Sequence, residues 1–308
     1  MRNGNTKTNA FPWKGVAMSG ISRRDFLAGL TLAGAAASLG RSALAAQPAA
    51  KPKRGTDLVT LGRSGLKTTV LGIGTGTVGG SQQRALGTEG FTRLARHALD
   101  RGIRYIDTAD MYHMHTFVQI ALKGVARDKY FIQTKTTARH PEVAKADIER
   151  FRRELGVETI DLLLMHCMQT GSWPTDMRPV MDVLDEAKRR GRVRAVGISN
   201  HGWEPLVAAV ESNWCDVHLV RINPFGDKMD GEPERVAEQV KKIHAKGCGV
   251  LGMKIYGETG FGSREKRFES LKYVLGLGCV DAFTIGFTST QQLDETLELI
   301  EKAAQATA

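Results

Sequence analysis

Cysteine is scarce in this chain. The 308 residues contain four, Cys167, Cys215, Cys248 and Cys279, and no pair stands in CxxC spacing, so no ligand cluster has the spacing of a zinc or iron-sulfur site. Cys215, Cys248 and Cys279 fall on or beside predicted strands, where buried free thiols are common. A long apolar run is also missing, since the stretch from Leu27 to Gly40 is too short and too rich in Ala and Gly to favour a permanent membrane span. The chain lacks a dinucleotide fingerprint, because Gly72-Ile73-Gly74-Thr75-Gly76 is too irregular for the glycine turn that an open doubly wound sheet would need. Nor is there a large excess of one charge. The net +10 (43 Lys and Arg less 33 Asp and Glu) includes +5 from residues 1–45, where Arg2, Lys7, Lys14, Arg23, Arg24 and Arg41 face only Asp25. The remaining +5 does not imply nucleic-acid binding.

What is present divides the chain in two. Ser22-Arg23-Arg24-Asp25-Phe26-Leu27 looks like a twin-arginine export motif, followed by the apolar stretch and a small-residue site at Ala43-Leu44-Ala45. Residues 1–45 therefore read as a signal peptide recognised by the twin-arginine export machinery, residues 46–56 as a flexible leader, and the mature protein as periplasmic or otherwise exported. A twin-arginine substrate folds before export, which is compatible with reduced, buried cysteines. The remainder, 57–308, has the usual size of a single α/β barrel.

Apolar runs predict strands at 70–76, 103–107, 129–135, 159–166, 193–198, 216–222, 248–254 and 281–287, each followed by a segment of helical period. Gly102, Gly156, Gly191 and Gly247 stand where helix C-caps belong, just before the next strand. Eight such units make a closed (β/α)8 TIM barrel the simplest parallel-sheet solution. In that fold the C-terminal strand ends form one face. Asp107, Lys135 and His166 end three successive predicted strands, with Tyr112 five residues past Asp107, so an acid, a phenol, an amine and an imidazole would meet at one mouth.

This constellation resembles the aldo-keto reductases, whose set is an Asp and a Tyr five residues apart, then a Lys and a His on the next two strands. Leu61–Lys67 (LGRSGLK) resembles the family's N-terminal β-hairpin, Asp107-Thr108-Ala109 its second-strand signature and Val193–Asn200 (VRAVGISN) its fifth strand. The resemblance implies an NAD(P)-dependent oxidoreductase acting on an aldehyde, ketone or sugar carbonyl, or on the corresponding alcohol. Tyr112 would protonate the carbonyl oxygen, with its pKa lowered by Lys135, which Asp107 keeps charged; His166 would bond the same oxygen and orient the substrate.

Cofactor contacts implied by the same resemblance are Thr75, Asp107, Ser199, Asn200, Met253, Lys254, Gly286, Thr288 and Gln292. Ser199 and Asn200 stand where the family holds the nicotinamide carboxamide. Leu219 replaces a common Gln, and Met253-Lys254 replaces a common aromatic ring. NADP is the family expectation, with NAD an alternative because Gly286 and Gln292 occupy places often taken by basic groups; Arg264, Lys266 and Arg267 could supply charge from the preceding loop. Trp173, Met114, Phe225 and Tyr256 suggest an apolar substrate wall. No metal is expected, and His113 and His115 read as a loop pair facing substrate or solvent. Two other classes stay open: a nicotinamide-binding redox sensor with little turnover, and a metal-assisted barrel hydrolase using His113, His115 and His166.

Overall fold

A computed structural model describes residues 52–258 and 262–307. The export signal read at 1–45 lies outside the described residues. Eight parallel strands close into a barrel, hydrogen-bonded in chain order with the last beside the first, with helices between successive strands. The strands are β3 (Leu71–Gly74), β4 (Tyr105–Asp107), β5 (Phe131–Thr136), β6 (Ile160–Met168), β7 (Val193–Asn200), β8 (Val217–Arg221), β9 (Gly249–Met253) and β10 (Ala282–Gly286). Every barrel strand falls on its predicted run. Among the described residues, no helix is long and apolar enough to cross a membrane.

Side-chain alternation along the strands separates two cores. Tyr105, Phe131, Leu162, Leu164, Ala195 and Leu251 pack inside the barrel with their neighbours, while Ile106, Ile132, Leu163, Val196 and Val250 face the helix layer. Helix Arg178–Arg189 is typical of that layer: Val180, Met181, Val183, Leu184 and Ala187 are buried, the spacing of one helical face. The chain then turns at Gly191, whose φ is +69°, a conformation glycine adopts without steric cost.

A short hairpin precedes the barrel. Strands β1 (Leu58–Thr60) and β2 (Lys67–Thr69) pair antiparallel, and the turn between them carries Leu61 and Leu66 into the barrel's inner core. Arg63 fixes the turn at the N-terminal end of the barrel: its backbone N–H donates to Gly247 O at 2.6 Å and its guanidinium to Asn213 O at 2.9 Å and Cys215 O at 3.1 Å. The stretch expected to be a flexible leader is already anchored before its end. Gly55 is buried, and its carbonyl accepts the Leu71 N–H at 2.8 Å.

Candidate active site

Period-two alternation aims Asp107, Gln133 and Lys135 inward at the C-terminal ends of β4 and β5. Lys135 is fully buried, and its Nζ donates to Asp107 Oδ1 at 2.5 Å, Thr108 O at 2.9 Å and Tyr112 Oη at 3.4 Å. Gln133 donates a second bond to Asp107 Oδ1 at 2.6 Å. His166 arrives from β6 and places Nε2 3.4 Å from Tyr112 Oη, with the two rings edge to face at 5.5 Å. The four predicted groups therefore converge, and the phenol oxygen is equidistant from an ammonium and an imidazole.

Electrostatics assign each group a form. Burial pushes the Lys135 pKa down, but Asp107 and Tyr112 more than offset that, so the ammonium stays charged. Burial, then Lys135, His201 and Arg139, holds His166 well below its ordinary value and therefore neutral. Burial raises the Tyr112 pKa; Lys135 pulls it down as expected but recovers only part of that rise, so the phenol stands above its ordinary value. The resting phenol is thus firmly protonated, with a cation already placed to stabilise the phenolate that proton transfer creates.

Several residues unseen in the sequence hold this cluster. Tyr112 sits on a short 3-10 turn, Asp110–Tyr112, pinned by Arg150 at 2.7 and 2.9 Å from the two Asp110 oxygens and by Arg84, which donates to Tyr112 O at 2.6 Å. A Cβ on Gly76 would stand 2.5 Å from the Tyr112 ring, and one on Gly72 would stand 2.2 Å from the Tyr105 ring. The glycines in and just after β3 make room for aromatic rings. Gln83 ties this loop to the one after β10 by donating to Thr77 Oγ1 and Phe287 O, each at 3.3 Å. Long-range pairings of this kind leave no local sequence signal.

A cavity of about 110 Å³ opens beside Tyr112, lined in part by Gly76, His201, Met253, Lys254, Thr284 and Gly286. Asn200 is fully buried, yet neither its amide nitrogen nor its oxygen has a protein partner. Thr284, another group missed in the sequence, has a buried hydroxyl in the same state. An amide whose donor and acceptor are both free matches the complementary pair on a nicotinamide carboxamide, so this residue fits the cofactor.

Other expected contacts are already committed. Thr75 is fully buried and donates its hydroxyl to Asp107 O at 3.0 Å, so it joins strands rather than facing a ligand. Ser199 Oγ accepts the Cys167 N–H at 2.9 Å. Gln292 Oε1 accepts from Thr288 N at 2.8 Å and Thr288 Oγ1 at 3.0 Å, which folds the side chain onto its own helix start. Lys254 pairs with Glu258 at 2.8 Å. Gly286 is required by close approach, since a Cβ there would lie 1.9 Å from Thr77 Oγ1. Leu219 lies in the inner apolar core.

The predicted substrate wall is half corrected. Trp173 and Met114 are 1 % and 0 % exposed and belong to the outer core; Trp173 donates Nε1 to Pro205 O at 3.2 Å. Both lie in connections after strands, where the sequence does not distinguish a rim from packing beneath it. Tyr256 lines the cavity, and Phe225 is exposed beside it. The reading of His115 as a loop residue also fails: it opens helix His115–Leu122, buried, with Nδ1 2.7 Å from Glu154 and Nε2 2.8 Å from Thr134 Oγ1. Both nitrogens are occupied, which removes it from any metal reading.

The barrel has the fold of solved aldo-keto reductase structures. The holo form of aldo-keto reductase AKR11C1 from Bacillus halodurans superposes with a TM-score of 0.65 at 21 % identity, covering 82 % of this chain and 96 % of that one. The thermostable aldo-keto reductase Tm1743, in complex with the inhibitor epalrestat, gives 0.65 and 21 % over 82 % and 100 %. Residues 70–302 match the family described as Aldo/keto reductase family, and the chain belongs to it. Curated relatives include aldo-keto reductase YhdN of Bacillus subtilis, 27 % identical over 49 % of each chain. Glyoxal reductase of the same organism is 28 % identical over 52 % of this chain and 55 % of its own. Methylglyoxal reductase DkgB of Salmonella typhi is 30 % identical over 42 % and 50 %. The matched segments span about half the length of these curated relatives.

Proposed function

We propose that the protein is an NAD(P)-dependent oxidoreductase that reduces a small carbonyl or oxidises the corresponding alcohol. The observation that carries this reading is the position of Tyr112 Oη, 3.4 Å from both Lys135 Nζ and His166 Nε2. A bound nicotinamide supplies or accepts the hydride at the carbonyl carbon. The chain does the rest. Asn200 orients the carboxamide, His166 positions the carbonyl oxygen, Tyr112 gives that oxygen its proton, and Lys135 stabilises the phenolate left behind. The relatives named glyoxal and methylglyoxal reductases make short dicarbonyls the first compounds to assay.

Cofactor preference is read as NADP, with NAD the alternative. Arg264 pairs with Glu295 and Glu298, and Arg267 with Glu295 at 3.0 Å, so a 2′-phosphate would compete with those acids for them. Lys266 lies over the Phe225 ring and pairs with no carboxylate among the described residues, which leaves it for the phosphate. The twin-arginine reading places the mature enzyme outside the cytoplasm, with the dinucleotide bound before export and carried across. The test is turnover of purified protein with NADH and with NADPH, beside Tyr112→Phe. That variant should lose about a hundredfold to ten-thousandfold in turnover while retaining dinucleotide binding. Wild-type turnover by Tyr112→Phe would reject the general-acid assignment.

A further inference from the structure

His166, Cys167 and His201 form a second constellation beside the catalytic imidazole. One ring nitrogen of each histidine and Cys167 Sγ all lie within 4.8 Å of one another. Because His166 Nε2 faces Tyr112, Nδ1 is the nitrogen left for a further partner, and it is buried with none; His201 Nδ1 is likewise buried and unpartnered. His166 itself is 1 % exposed. A buried polar atom without a partner costs free energy, and here two adjoin a thiol.

The backbone is arranged to bring the sulfur there. Cys167 adopts φ +57°, a left-handed conformation uncommon for a side-chain-bearing residue, where the β6 register breaks between Met165 and Met168. Ser199 Oγ accepts the Cys167 N–H at 2.9 Å and Arg139 donates to His166 O at 2.9 Å, so the turn is held from both sides. Cys167 is partly exposed, which gives an ion a route in. The contrast with Asp110, His115 and Glu154, grouped equally closely, is instructive. There, Arg150 takes both carboxylates and His115 uses both nitrogens.

We propose that His166 Nδ1, Cys167 Sγ and a ring nitrogen of His201 bind a soft monovalent cation, Cu⁺. Two neutral imidazoles and a thiolate are soft donors that exclude magnesium and calcium and suit Cu⁺ or Zn²⁺. Charge decides between them, because the Arg139 guanidinium donates to His166 O at 2.9 Å and Cys167 O at 3.4 Å, and the Lys135 ammonium stands 3.4 Å from the Tyr112 hydroxyl that adjoins His166. Cu⁺ with a thiolate adds no net charge to these cations, whereas Zn²⁺ leaves one positive charge among them. On binding, the thiol proton passes to solvent and the Sγ–Cu bond forms without change of oxidation state. A metal on Nδ1 leaves the His166 proton on Nε2, so the ring becomes a fixed donor towards the reaction oxygen.

The test uses the full chain under anaerobic conditions, titrating Cu⁺ against bicinchoninate as a competing chromophoric chelator, with no activity readout. One Cu⁺ per chain is expected, with a thiolate-to-copper absorption band. Cys167→Ser and His201→Gln should each weaken binding about tenfold or more while Cys215→Ser leaves it unchanged, all three checked for a cooperative thermal melt. If Cys167→Ser fails to fold, His201→Gln decides alone. Failure to compete with bicinchoninate, unchanged affinity in the folded variants, or tighter retention of Zn²⁺ than of Cu⁺ would overturn the proposal.

Discussion

At the residue scale, the decisive quantity is whether a buried polar atom has a partner. Asn200 and His218 both lack one, with opposite consequences. Asn200, next in sequence to the cavity-lining His201, offers a free amide to a ligand, whereas His218 faces the helix layer, fully buried with neither ring nitrogen bonded. Burial, then Lys246 and Arg63, lowers the His218 pKa from 6.5 to about 3. As pH falls below 6.5 the unfolded chain takes up a proton that the folded chain refuses until about 3, so stability is lost across that window. His218→Leu should remove this loss and raise stability at pH 7 by about 1 kcal/mol. Urea melts at pH 7 and pH 5 measure both effects, and an unchanged pH slope in the variant would refute the assigned environment. The Asp107, Lys135 and His166 positions were legible because each ends a short apolar run that reads as a strand. The free state of Asn200 and the burial of Trp173 were not, since both depend on groups distant in sequence.

At the scale of elements, the two ends of the barrel strands serve different ends. Asp161 opens β6, almost fully buried, and accepts from Arg127 at 2.6 Å, Arg194 at 2.8 Å and the Ile132 N–H at 2.8 Å. Asp161→Ala strands the Ile132 N–H, while both half-exposed arginines regain water. It should cost about 1–3 kcal/mol of stability and leave carbonyl KM unchanged, because it lies opposite the mouth. Chemical denaturation and steady-state kinetics on one preparation check the pair of outcomes. Gly76→Ala should do the reverse, keeping the fold while reducing turnover at least tenfold, since its Cβ would displace the Tyr112 ring and misplacement of a reacting group is costly. Turnover equal to wild type would show that the loop yields. Strand positions were legible from short apolar runs and from the glycines at helix ends. The Arg84, Arg150 and Gln83 ties were not, because their partners are backbone or side-chain atoms on other elements.

For the whole molecule, the open matter is where the barrel works. If Arg23 and Arg24 are read by the export receptor, changing both to Lys preserves charge but removes the signal. The precursor should then stay in the cytoplasm, as fractionation and immunoblotting would reveal; unchanged export would sink the assignment. The double substitution leaves Asp107, Tyr112, Lys135 and His166 unchanged, so its carbonyl turnover should equal that of wild type, which separates address from chemistry.

The hairpin turn that sends Leu61 and Leu66 into the inner core turns the barrel into a cup with a solid floor. Everything that reaches Lys135 and His166 must come and go over one rim. Two ligands sharing such a cup leave in the reverse of the order in which they arrived, whatever their individual affinities, and the residence time of the deeper one sets a ceiling on traffic through the site.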